Sequence, residues 1–274
     1  MSISGSLMAD QTVNTGQPKL LIVIPAFNEV RSIRGVLEDL HRHIPWADAV
    51  VIDDGSIDAT AEIAADAGAI VLRLPFNLGV GGAMRTGYRY AHEGSYDLAV
   101  QFDGDGQHRA DHIPHLLAVV AEGADLAVGS RVLDKGGYHF PFMRKTGSLL
   151  IAAVIRLVTG KRFTDPTSGF RAANRRMIAF FARHYPEGYL GDTVEALVEA
   201  ARHGMDIREA PVEMRPAEHS SVGSLKGLFH TACICLAILI DRLERKFPDV
   251  PPPTGQASPA TPPKDRDAQE NHPC

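Results

Sequence analysis

The sequence predicts an α/β protein: a mostly parallel sheet flanked by helices, then a C-terminal amphipathic helix and a disordered tail. Three observations predict it. Short apolar runs alternate with helical patterns through the first half of the chain. Each run closes on a turn rich in Asp, Asn, Gly or Pro. From Pro248 onward the composition shifts to Pro and polar residues, too poor in apolar side chains to bury a core.

The elements follow in order. Residues 1–18 read as a flexible leader with no charged segment ahead of an apolar core, hence no signal peptide. Leu20-Leu21-Ile22-Val23-Ile24 is an unbroken apolar run closed by Pro25, the pattern of a central parallel strand. Ile33, Val36, Leu37, Leu40 and Ile44 fall at helical spacing, and Pro45 ends that helix. Ala49 to Ile52 is a second strand running into Asp53-Asp54-Gly55-Ser56-Ile57-Asp58, where Ser56 or Asp58 is placed to cap the next helix. Gly68 stops that helix. Ala69 to Leu74 is a third strand, and Asn77-Leu78-Gly79 opens a helix through Tyr90. Leu98 to Phe102 is a fourth strand.

In the second half, Ile113, Leu116, Leu117 and Val120 make a helix, and Asp125 to Gly129 a short strand. A loop carrying Arg131, Lys135, Arg144 and Lys145 leads to a helix through Val158. Thr164 to Phe170 is turn-rich. Asp192 to His203 is helical with Gly204 as its stop, and Ile207 to Met214 alternates as a strand. Leu225, Leu228, Phe229, Ala232, Leu236, Leu239, Ile240 and Leu243 form a helical stripe. The expected organisation is one domain over 19–224, a helix over 225–247 and a tail over 248–274. The apolar run 228–240 makes about 20 Å of helix, too short for a membrane core of about 30 Å. It suits an interfacial helix, a packed helix, or a dock for a small integral membrane partner.

The chain has 274 residues, is 45% hydrophobic and carries a net charge of -5. That balance points to no nucleic-acid partner. Charge is uneven, however: residues 131–183 hold eleven Lys/Arg against two Asp, a basic block after an acidic first half. Cys233 and Cys235 sit in an apolar run and Cys274 in the tail, which is neither a disulfide scaffold nor a zinc site. A cytoplasmic setting fits, peripheral at the inner face of the cell membrane.

The most informative stretch is Asp103-Gly104-Asp105-Gly106-Gln107-His108, at the end of the fourth strand. Two carboxylates held this close repel unless a cation compensates them. An all-oxygen set of Asp103, Asp105 and the Gln107 amide favours Mg²⁺ or Mn²⁺, ions that also hold substrate phosphates. Ligands of parallel sheets bind outside the carboxyl ends of the strands, where Phe27-Asn28-Glu29 and Asp53-Asp54 also fall.

With these motifs placed, the sequence resembles a family 2 glycosyltransferase, and within that family the dolichyl- or polyprenyl-phosphate sugar transferases. The resemblance runs from about Leu20 to Lys246. It rests on Ile24-Pro25-Ala26-Phe27-Asn28-Glu29, Val51 to Asp58, Asn77-Leu78-Gly79 through Gly87, Asp103 to His108, Gly129-Ser130-Arg131, Ser168-Gly169-Phe170-Arg171 and Glu209-Ala210-Pro211-Val212. It implies a GT-A, Rossmann-like fold and inverting hexosyl transfer from a UDP- or GDP-linked sugar. Pro25, Phe27, Asn28, Glu29, Asp53, Asp54, Ser56 and Asp103 would form the donor pocket. Asp103, Asp105 and Gln107 would hold the metal. Phe27 stands where the family commonly has Tyr. Val80 stands where dolichyl-phosphate members often have Lys, so the Asn77 loop is expected to be structural.

Two acceptors remain open. A lipid phosphate is already an anion and needs cations rather than a base; the resemblance places Arg131, Arg144 and Arg215 there, with Asp105 and Arg131 at the reacting centre. A sugar hydroxyl needs a base, for which Asp192 and Glu195, spaced i, i+3, are the candidates; that chemistry belongs to cell-surface polysaccharide synthesis. A non-catalytic nucleotide-sugar-binding subunit is the alternative of another class.

Overall fold

The structure, a computed structural model, describes residues 17–133, 142–186, 192–215 and 232–236, with side chains from residue 147 in the second segment and 193 in the third. The strands are β1 (Leu20–Ala26), β2 (Asp48–Asp53), β3 (Ile70–Arg73), β4 (Leu98–Gln101), β5 (Leu126–Ser130), β6 (Arg171–Asn174) and β7 (Ile207–Pro211). The helices are α1 (Ile33–His43), α2 (Thr60–Asp66), α3 (Gly79–Glu93), α4 (Ile113–Ala121), α5 (Phe142–Thr159), α6 (Arg175–His184) and α7 (Asp192–Arg202). The strands form one sheet in the order β3-β2-β1-β4-β6-β5-β7.

β1 is central because it is apolar on both faces. Leu21 and Val23 point into one core layer, and Leu20, Ile22 and Ile24 into the other, the period-two alternation of a strand. One layer packs Ala83, Met84 and Tyr88 of α3 with Ile155, Phe181 and Leu197 from α5, α6 and α7. The other packs Ile33, Val36, Leu37 and Leu40 of α1 with Ile113 and Leu116 of α4. β2 and β4 flank β1, both parallel to it. The chain order reverses between β1 and β4, which opens a crevice at their carboxyl ends.

β6 alone runs antiparallel, pairing with both β4 and β5, and the other pairings are parallel, so the sheet is mostly parallel, as expected. The four residues of β6, Arg-Ala-Ala-Asn, carry no strand pattern; burial between two neighbours makes the strand. Arg144 and Lys145 lie in the first turn of α5, not in a loop. Ser56 does not cap α2, which begins at Thr60 with no side-chain cap at Ala59; Asp58 accepts from the Thr60 amide at 3.0 Å. Gly68 does stop that helix, with φ 85°.

Of the stripe over 225–243, residues 232–236 are helical, with Ile234 and Cys235 in the core layer that contains α5. The rest of the stripe, the leader through residue 16 and the tail over 248–274 lie outside the described residues. Among the described residues no helix is long and apolar enough to cross a membrane.

Gly87 lets α3 lie directly on β1, since a Cβ there would collide with Val23 Cγ1. Overpacking of this kind costs about 1–3 kcal/mol. Gly87→Ala is expected to lose stability in that range, measured as a lowered denaturation midpoint with an unchanged slope.

Candidate active site

β1, β2, β4 and β5 all end at one edge, and each delivers a motif there. After β4, the Asp103 amide donates to His108 Nδ1 at 3.0 Å. An imidazole nitrogen that accepts carries no proton, so the ring proton sits on Nε2, which faces Asp103 Oδ2 at 3.4 Å. His108 is buried, stacked on Phe170 at 4.8 Å with Phe102 edge-on. Burial holds its pKa below the ordinary value, against the pull of Asp103 and Asp105. A neutral His108 therefore orients Asp103 without adding charge. Gly169 closes over the same carboxylate, where a Cβ would stand 3.0 Å from Asp103 Oδ2.

Asp105 Oδ1 accepts from the Gln107 amide at 2.9 Å, and the Gln107 side chain lies against Asp105 Oδ2. Glu29 faces the same space. Its pKa is raised chiefly by burial, then by repulsion from Asp105, Asp58 and Asp103; the Ser32 hydroxyl, 2.7 Å away, opposes the rise. Several carboxylates thus crowd one edge. This fits a hard divalent cation held by Asp103, Asp105 and Gln107. Among the described residues no three His, Cys, Asp or Glu side chains close into a metal cage, and a set of two carboxylates and an amide leaves positions for ligand phosphates.

The other motif residues largely tie loops together. Asn28, at φ 58°, donates its amide to Ser56 Oγ at 2.9 Å, and its Oδ1 accepts from the Ile57 amide at 3.0 Å. Asp53 accepts from the Ser56 amide at 3.0 Å and faces Arg73 Nε at 3.3 Å. Asp54 takes the Leu78 and Gly79 amides at 2.7 and 2.9 Å, one on each oxygen. Burial raises its pKa and these amides oppose the rise. The loop leading into α3 is anchored this way, as the sequence led one to expect. Pro25 is half-buried at the end of β1, and Phe27 is 45% exposed just beyond it.

Arg131, just past β5, meets the fully buried Asp165 through two parallel bonds at 2.6 and 2.7 Å, with Thr167 Oγ1 at 3.1 Å. Glu209 of β7 accepts the Thr164 and Asp165 amides. Asp165, in the turn-rich stretch 164–170, is the partner that fixes Arg131. Arg215 donates to the His108 and Gly106 carbonyls at 3.0 and 3.4 Å and pairs with Asp39 at 2.9 Å. The side chains of Arg144 and Asp192 lie outside the described residues. Glu195 is half-buried on α7. β7 runs parallel to β5, and α7 precedes it in the chain.

His108 and Gly169 fell within the motifs read from the sequence but without a role, and Asp39 was missed; its signal is a charge on the buried face of α1.

Residues 21–181 match glycosyl transferase family 2. The chain belongs to this family. An undecaprenyl-phosphate mannosyltransferase of Micrococcus luteus is 33% identical over 220 residues, covering 76% of this chain and 90% of that one. A polyprenol monophosphomannose synthase of Mycolicibacterium smegmatis is 30% identical over 209 residues, covering 73% and 78%. Among solved structures, glucosyl-3-phosphoglycerate synthase from Mycobacterium tuberculosis, with Mn²⁺, UDP and phosphoglyceric acid, is similar with TM-score 0.64. It is 23% identical and the match covers 85% of this chain and 80% of that one. The shared fold is the GT-A fold, so this glycosyltransferase has the architecture that the motifs implied.

A carboxyl whose pKa rises on folding destabilises the fold when ionised. For Glu29 that penalty is absent below its ordinary value of 4.5, grows as pH rises toward the folded value, and is full above it. Glu29→Gln is expected to melt above wild type at about pH 8 without divalent ions, the gap closing as pH falls. Thermal melts across pH check this; a gap that widens on acidification would reverse the sign.

Proposed function

We propose that this glycosyltransferase moves a hexose, with inversion, from a UDP- or GDP-linked sugar to a polyprenyl phosphate. The reaction depends on Mg²⁺ or Mn²⁺ and runs at the cytoplasmic face of a membrane. The observation that carries the reading is the crowd of carboxylates around Asp103, Asp105 and Gln107 at the crevice edge. A bound divalent ion supplies charge compensation for the diphosphate leaving group. Phe27 and Pro25 offer an apolar surface for the nucleoside base. Asn28, Asp53, Asp54 and Ser56 hold the loops of that pocket, and Glu29 and Asp103 border it.

The relatives' acceptors, undecaprenyl phosphate and polyprenol phosphate, support the acceptor class. An acceptor phosphate oxygen forms the new bond to the anomeric carbon as the bond to the nucleoside diphosphate breaks. The nucleophile is already an anion, so it needs orientation rather than deprotonation. Arg131, preset by Asp165, and Arg215, beside the Asp103–His108 loop, are fixed at this edge to orient it, and Arg144 is assigned to the same phosphate by the family resemblance. On α5, Leu149, Leu150 and Leu157 are 59%, 48% and 64% exposed. They share one helical face, which supports docking against a lipid surface. Asp192 and Glu195 would act as base only for a hydroxyl acceptor.

The test supplies labelled UDP- and GDP-hexoses with Mn²⁺ to polyprenyl phosphate in detergent and, separately, to sugar acceptors. Label in the lipid fraction is expected. Asp105→Ala should lose about 100-fold or more in rate, with fold retained. Label only in sugar acceptors, abolished by Asp192→Asn or Glu195→Gln, would overturn the lipid-phosphate assignment.

A further inference from the structure

We propose that Asp39 and Arg215 form a positioning pair that sets the shape of the Asp103–His108 loop and, through it, the affinity of the site for its divalent ion. The inference rests on the metal-dependent reading above. Asp39 sits on the buried face of α1 and is 7% exposed. A carboxylate there is unfavourable unless paired. It faces Arg215 Nη2 at 2.9 Å, the Ala110 amide at 3.3 Å and His43 Nδ1 at 3.3 Å. Arg215 in turn meets three successive loop carbonyls. Its amide donates to Gln107 O at 2.8 Å, and its guanidinium to His108 O at 3.0 Å and Gly106 O at 3.4 Å.

These contacts form a chain from a rigid element to the expected metal ligands. α1 holds Asp39, Asp39 orients the guanidinium, and the guanidinium gathers the backbone of the loop that presents Asp105, Gln107 and His108. Asp39 also holds the far end of the loop directly, at Ala110. Groups that orient metal ligands commonly control affinity by about 10–100-fold when removed. A second tie on the same segment is the ion pair of Glu213 with Arg109. It is exposed and touches none of the three carbonyls, so it serves as a comparison.

The experiment titrates Mn²⁺ against UDP and GDP binding by calorimetry in the full chain, for wild type, Asp39→Ala, Asp39→Asn, Arg215→Lys and Glu213→Gln. Asp39→Ala is expected to raise the Mn²⁺ concentration for half-maximal nucleotide binding about tenfold. Asp39→Asn and Arg215→Lys should shift it less, and Glu213→Gln should leave it unchanged. Asp39→Ala combined with Arg215→Gln should shift it no further than Asp39→Ala alone, because the two act as one unit. Should Asp39→Ala fail to fold, the two conservative variants carry the test. Variants that melt lower but keep the wild-type Mn²⁺ requirement would overturn the proposal and leave the pair as packing. Wild type that binds nucleotide equally well without a divalent ion would instead overturn the metal-dependent reading itself, and this inference with it.

Discussion

Like charges confined to one sheet edge set the terms for everything built around them. Asp103, Asp105, Glu29 and Asp58 are close enough for their repulsion to register in the Glu29 carboxyl. In a partly buried setting such repulsion is weakly screened. The edge exists because β1 and β4 pair in parallel, Ile22 beside Val100, and so end side by side. An imidazole kept neutral by burial can hold Asp103 in place, whereas a charged one would weaken the field that attracts the cation. Backbone carbonyls secure this loop from behind, and they take Arg215's hydrogen bonds without consuming the Asp103 and Asp105 carboxylates.

The motif residues divide into two kinds of work. Phe27, Asp103 and Asp105 present surface or charge to the crevice. Asn28, Asp53, Asp54 and Ser56 accept backbone amides with their side chains, which ties together three loops after three different strands. Arg131 and Glu209 tie the chain on the other side through Asp165 and its amide. Asp53 and Asp54 are buried, Ser56, Arg131 and Glu209 are half-buried and Asn28 is exposed, and each has a partner distant in sequence. Part of what marks the family is therefore loop architecture as much as chemistry.

How much of this was legible follows from where the information lies. β1 could be read because a strand buried on both faces must be apolar throughout, and α1 because one face of a helix must be. The oxygen-rich stretch at Asp103 could be read because two carboxylates in three residues demand compensation wherever they are placed. β6 could not, since Arg171 to Asn174 are a strand only because β4 and β5 stand on either side. Nor could the partner of Arg131, which lies 34 residues away in sequence.

The sequence by itself determined the strands and helices through β5, the carboxylate-rich edge and the family, because hydrophobic periodicity and short motifs are local properties of the chain. Only the tertiary structure decided that β6 runs against its neighbours, that Arg131 is preset by Asp165, and that Asp39 and Arg215 meet behind the Asp103–His108 loop. Those outcomes depend on which side chains the packed sheet brings together across long separations. A buried charge announces that it needs a partner, but its identity is settled only when the chain folds back on itself.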